Sequence, residues 1–265
     1  MPEALVLSER HGAALILRLN RPDSGNAISR EVALALAEHL RACESDAALR
    51  TLIVTGAGSR YFCTGGDVKA YAKLASPEEL DRVFNLMREV CDSIERLTCP
   101  VVAAINGYAV GGGAELALAC DLRIAEADVQ IGFPQSRLGI MPGWDGTERL
   151  LRTVGRSASA SLLYSGKRVS AAEAREMGLV DEIVPNGSAV TRALALAATF
   201  AGVAPLSLGA IKEGLREAGN AATATSGKEA RTRARETFAR LWFTEDHKEA
   251  ERAFAEKRAP RFVGR

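Results

Sequence analysis

Histidine is scarce in this 265-residue chain, which has only His11, His39 and His247. None sits at ligand spacing from another, which argues against a zinc centre. No histidine lies in a glycine-rich segment and no G-x-S-x-G occurs, so Ser–His–Asp hydrolases are disfavoured too. The five cysteines, at 43, 63, 91, 99 and 120, include no C-x-x-C pair. An odd, scattered set reads as reduced, buried thiols. No run of about eighteen apolar residues offers a membrane span, and MPEALVLSERHG lacks the basic-then-apolar layout of a signal peptide. An excess of either charge is missing as well, with 34 basic against 33 acidic side chains. No overall field therefore recruits nucleic acid or a membrane surface. The expectation is a cytoplasmic chain with no metal, no nucleic-acid partner and no membrane partner.

What is present is a 47% hydrophobic composition, enough for a substantial core. LVL (5–7) and ALILRL (14–19) read as strands around a tight SERHG, and RPDSGNAIS leads into the helical spacing of EVALALAEHLRAC. TLIVTG (51–56) and PVVAAING (100–107) are continuous apolar runs of the kind buried on both faces. Ser76, Pro77 and Glu79 predict a helix start, with that helix running to about Arg96. LRIA (122–125), VQIG (129–132) and LVDEIV (179–184) are further strands, and Ser170 with Glu173 repeats the capping pattern. From about residue 188 the chain is helical throughout, with GNAATATSGK (219–228) as a flexible break. The fold class is α/β, with a body over residues 1–200 and a helical region over 201–265.

Two glycine-rich loops follow buried strands. GAGSRYFCTGGD (56–67) begins G-x-G but has no third glycine, and no amphipathic helix follows, so it is no dinucleotide loop. GYAVGGGAELALACD (107–121) places three glycines directly before a helix. Its backbone N–H groups can approach a ligand closely there, and the helix start adds partial positive charge. Glu115 falls in the first turn, where it either complements the helix dipole or does chemistry. Donors from both loops converging on one oxygen would make an oxyanion hole, suited to an enolate or a tetrahedral anion. A phosphoryl group would instead call for clustered lysine or a metal.

FCTGGDVKAY (62–71), INGYAVGGGAELALACDLRIA (105–125), PGWDGTERLLRTVG (142–155), VSAAEAREMGLVDEIV (169–184) and FAEKRAPRF (254–262) together resemble the enoyl-CoA hydratase/isomerase (crotonase) superfamily. The resemblance runs from near residue 5 to the C-terminus. It implies a spiral of ββα units with a C-terminal helical trimerisation region, a homotrimer or homohexamer, and an acyl-CoA thioester as substrate. Coenzyme A then enters as part of the substrate, with no separate cofactor. The implied oxyanion donors are the N–H groups of Thr64 and Gly112. The implied coenzyme A contacts are Lys69, Phe254 and Lys257, the last two reaching a neighbouring subunit's ligand. Of the family's two carboxylates, the first falls on Glu115 and the second on Gln135.

That glutamine is the main departure, since an amide binds water but exchanges no proton at neutral pH. Asp145 stands ten residues further on, where glycine is usual, and is the obvious substitute carboxylate. With Glu148 it also forms a D-x-x-E helix cap before RLLRTVG, and both roles stay open. Trp144, Met141, Phe133 and Asp67 are candidate substrate contacts, Trp144 because an aromatic at a pocket turn reshapes the acyl site. The expectation is a hydratase-type lyase on a bulky or cyclic enoyl-CoA. An isomerase, a hydrolase or decarboxylase using Asp145, and a non-catalytic acyl-CoA binder are the alternatives.

Overall fold

The computed structural model describes residues 4–71, 74–221 and 227–261. Part of the expected 219–228 break thus lies outside the described residues, as does the side chain of Lys69. The chain opens with a hairpin, β1 (Val6–His11) and β2 (Ala14–Leu19), paired antiparallel. The turn falls at Gly12, φ 58°, so SERH belongs to the first strand rather than to the turn read from sequence. Helix α1 (Arg30–Glu44) follows, with the Ser29 hydroxyl accepting from Val32 N–H as its cap.

A repeat of two strands and a helix then builds the body. β3 (Thr51–Gly56), β4 (Tyr61–Cys63) and helices α2 (Val68–Tyr71) and α3 (Pro77–Arg96) form one unit. β5 (Val101–Ile105), β6 (Tyr108–Val110) and α4 (Gly112–Ala119) form the next. β7 (Leu122–Glu126), β8 (Gln130–Gly132), a 3₁₀ turn over Pro134–Leu138 and α5 (Gly146–Ser165) form a third. β9 (Arg168–Ser170), α6 (Ala171–Glu176) and β10 (Glu182–Val184) close the two sheets, and helices α7 (Ala189–Ala201), α8 (Pro205–Ala221), α9 (Gly227–Trp242) and α10 (Glu245–Ala255) complete the described chain.

In each unit the first strand joins one sheet and the second joins the other. The orders are β1-β2-β3-β5-β7-β10 and β4-β6-β8-β9. Pairing within the body is parallel, with antiparallel strands among the described residues only at β1/β2 and β8/β9. This is the expected ββα spiral, and it explains the three-residue strands missed in the sequence. YFC, YAV and RVS are too short to show a period.

Alternation along the long strands divides two cores. Leu52 and Val54, with Val101, Ala103 and Ile105, face the main core with α1 and α3. Ile53, Val102, Ala104 and Ile124 face the opposite side, where Ala189, Ala193 and Ala197 of α7 cover them. Both faces of the sheet are therefore buried, which is why these strands read as unbroken apolar runs. Full burial of each Leu, Ile or Val side chain contributes about 1.5–3 kcal/mol. The Ser76 cap of α3 and the reciprocal Ser170–Glu173 capping box of α6 form as expected. The expected boundary at 200/201 falls at the end of α7, ahead of Pro205.

Candidate active site

Glu115 lies in the first turn of α4, whose start packs against the end of β4. A side chain at Gly113 would put its Cβ 1.9 Å from the Cys63 carbonyl, and one at Gly112 would meet the Trp144 indole at 2.4 Å. Gly112 and Gly113 thus serve close approach and Gly111 a positive φ of 59°, and together they deliver Glu115 into the protein interior at 2% exposure.

Three donors hold that carboxylate. Its Oε2 accepts from the backbone N–H of Trp144 at 2.8 Å and of Gly146 at 3.0 Å. Its Oε1 accepts from Gln135 Nε2 at 2.9 Å. Burial pushes its pKa up to about 7, against the two backbone donors, Arg149 and Gln135, which favour the anion. Such a group gives and takes a proton at neutral pH. The Gln135 Oε1 is buried with no hydrogen-bond partner among the described residues.

The segment Pro142–Gly146 builds this clamp. Asp145 has φ 60°, the left-handed region where glycine is usual, and that turn directs the Trp144 and Gly146 N–H groups onto one oxygen. Three arginines hold the segment. Arg88 of α3 donates Nε to the Gly143 carbonyl at 2.8 Å. Arg149 of α5 donates Nη1 to the Trp144 carbonyl at 2.6 Å. Arg235 of α9 pairs with the Asp145 carboxylate at 2.8 Å.

The cap reading of Asp145 is therefore corrected, because its side chain makes no cap hydrogen bond. Its carboxylate turns to Arg235 instead, and the Glu115 carboxylate is gripped by the backbone on either side of Asp145. None of the three arginines was singled out from sequence. Each sits on a helix among other charges, where it reads as part of a solvated face.

Other candidates separate. Gly112 N–H meets no acceptor among the described residues, whereas Thr64 N–H donates to the Gly25 carbonyl at 3.1 Å. The Thr64 hydroxyl donates to the same carbonyl, so Thr64 does not present a free donor here. The Asp67 carboxylate, a candidate substrate contact, is engaged by Arg21. Both Arg21 Nη atoms lie 3.1 Å from its Oδ2, tying the α2 start to the loop after β2. Phe133 is wholly buried in the main core and offers no pocket wall. Met141 packs partly buried against that core, and Trp144 lies against Gly112 beside its open N–H. Phe254 is 74% exposed on α10 and Lys257 lies just beyond that helix, so neither joins the Glu115 cluster within one chain.

The resemblance places its first carboxylate at Glu115, just after the glycine triplet, and the structure buries that side chain. The family model for enoyl-CoA hydratase/isomerase matches residues 9–265, and the chain belongs to that family of enzymes. It is 35% identical over 266 residues to the 2,3-dehydroadipyl-CoA hydratase of Escherichia coli, covering 100% of both chains. It is 34% identical over 261 residues to the crotonyl-CoA hydratase of Syntrophomonas wolfei, covering 98% of each. Among solved structures it is similar to the carnitinyl-CoA hydratase of Mycobacterium avium, with TM-score 0.85, 33% identity and coverage of 98% and 99%.

Proposed function

We propose that the protein adds water across the double bond of an enoyl-CoA thioester, as a hydratase-type lyase. The observation that carries this is Glu115, a buried carboxylate with its pKa near 7 beside the open N–H of Gly112. Glu115 takes a proton from water as the water oxygen bonds to Cβ. The electrons of the double bond move onto the thioester oxygen, where Gly112 N–H stabilises the enolate. Glu115 then returns its proton to Cα, so one C–O and one C–H bond form and the carboxylate is regenerated. One ionisable group suffices. Gln135 orients Glu115 through Nε2, and its unpartnered Oε1 accepts a hydrogen bond from the attacking water. Thr64 N–H becomes the second oxyanion donor when the thioester oxygen replaces the Gly25 carbonyl.

The relatives named as hydratases support hydration over isomerisation. The acyl group in this reading is bulky or cyclic, because Trp144 supplies a flat indole where a small residue is usual. Coenzyme A arrives with the substrate, meeting Lys69 of one chain and Phe254 and Lys257 of a neighbour. Leu206, Ile211 and Leu215 of α8, 89%, 58% and 71% exposed, supply apolar surface for a homotrimer or a dimer of trimers.

Double-bond isomerisation is the second reading, favoured by the amide at Gln135, since moving a proton between Cα and Cγ also needs one base. Linear and cyclic enoyl-CoAs incubated with the enzyme and followed by mass decide between them. Gain of one water is expected. A product of unchanged mass would establish isomerisation, and loss of carbon dioxide would establish decarboxylation.

A further inference from the structure

Trp144 has a peptide on each side, and each peptide is held by a different buried arginine. The Gly143–Trp144 peptide accepts from Arg88 Nε at its carbonyl, and its N–H donates to Glu115 Oε2. The Trp144–Asp145 peptide accepts from Arg149 Nη1 at its carbonyl. The next peptide supplies the second donor, Gly146 N–H. A peptide unit is planar, so fixing its carbonyl fixes where its N–H points. A cation at the carbonyl end also polarises the N–H toward an anion.

Neither arginine is spare surface charge. Arg88 and Arg149 are 3% and 1% exposed. Arg88 is held by Asp81 and Asn85 of its own helix. Arg149 is held from α3 by Asp92 at 2.6 Å and Glu95 at 3.1 Å.

We propose that Arg88 and Arg149 are positioning residues for Glu115. Arg88 acts through the peptide whose N–H donates to Glu115, and Arg149 by fixing the next peptide, from which the turn at Asp145 carries the Gly146 N–H. This rests on Glu115 being the proton-transferring group. The pair spreads fixed positive charge to the clamp without placing a cation on the carboxylate. A direct Arg–Glu pair would hold Glu115 ionised and deprive it of its acid role. Arg149 contributes an attraction that lowers the Glu115 pKa against burial.

The charged and titratable groups around the clamp are Cys91, Asp92 and Glu95 of α3, Glu148 and Arg152 of α5, and Asp81, Asp145 and Arg235 near Arg88.

The test needs no substrate. The backbone amide NMR signals of Trp144 and Gly146 are followed against pH in the native protein, in Arg88→Met and in Arg149→Met. Both native signals should titrate with a midpoint near 7, reporting Glu115. Arg149→Met should raise that midpoint by about half a unit or more, since an attraction on the anion is lost. Arg88→Met should strip most of the pH-dependent shift from Trp144 while Gly146 keeps its own. Where a methionine variant fails to fold, Arg88→Lys and Arg149→Lys are read the same way, with changes in the same direction and smaller. Native midpoints and amplitudes at both amides in folded variants at both positions would overturn the proposal. If the signals move as expected while native enzyme hydrates no enoyl-CoA, the clamp stands and the hydratase reading falls. Hydration with unmoved signals would keep the hydratase reading and remove the positioning role of the arginines.

Discussion

The starts of α4 and α5 each carry a buried carboxylate, and the protein treats the two differently. Glu115 at the start of α4 meets only neutral donors, the N–H groups of Trp144 and Gly146 and the amide of Gln135. Asp145 at the start of α5 meets the guanidinium of Arg235. Burial raises the Glu115 carboxylate into the range where it exchanges protons, whereas the Asp145 oxygens are engaged in an ion pair. By this contrast Glu115 is the group we propose as acid and base. Asp145 contributes its left-handed backbone, and its side chain ties the clamp to α9.

Glu115→Gln puts the contrast under the greatest load. Turnover of a panel enoyl-CoA should fall by about 10²–10⁴-fold while acyl-CoA binding, measured by calorimetry, is retained. The pH dependence of stability gives a second reading of the same variant. A carboxylate whose folded pKa lies above its unfolded value stabilises the fold fully at low pH, and that contribution is lost as pH rises to the folded value. With Glu115 near 7, native stability relative to the Gln variant should decline by a few kcal/mol between about pH 4.5 and 7. Parallel stability profiles in denaturant titrations would mean that folding leaves the Glu115 pKa at its unfolded value.

A smaller effect belongs to Gln135→Leu, which removes both the donor to Glu115 and the acceptor offered to water. Turnover should drop about tenfold to 10²-fold. Full activity would assign the water to other groups. The smallest effect is expected at Asp145→Asn, since asparagine tolerates the left-handed backbone and loses only the ion pair. Stability should fall by about 1 kcal/mol and turnover by no more than about tenfold, read by thermal melting and steady-state rates. A loss equal to that of Glu115→Gln would place Asp145 on the reacting atoms and erase the contrast.

Much of the fold was legible because β3 and β5 carry continuous apolar runs, and Ser76 and Ser170 carry their caps in the local sequence. Glu115 was legible for the same reason, since three glycines before a helix announce a close approach. The acceptor that Thr64 N–H meets was hidden, since the Gly25 carbonyl comes from a loop 39 residues earlier. Asp145 misled because D-x-x-E is a cap only when the aspartate takes extended backbone, and the turn after Trp144 puts it in the left-handed region. Arg88, Arg149 and Arg235 were hidden for a common reason. Their partners lie 55, 5 and 90 residues away, and a charge on an amphipathic helix does not show which of its neighbours it will meet.

Turnover in heavy water measures directly which carboxylate moves the proton. An enoyl-CoA that the native enzyme hydrates is incubated in D₂O with the native, Glu115→Gln and Asp145→Asn proteins, and deuterium at Cα of the product is read by mass. Native enzyme and Asp145→Asn should form product with one deuteron at Cα at rates within about tenfold of each other, and Glu115→Gln should form almost no such product. Deuterium incorporation that survives Glu115→Gln and disappears with Asp145→Asn would contradict the assignment of the proton to Glu115.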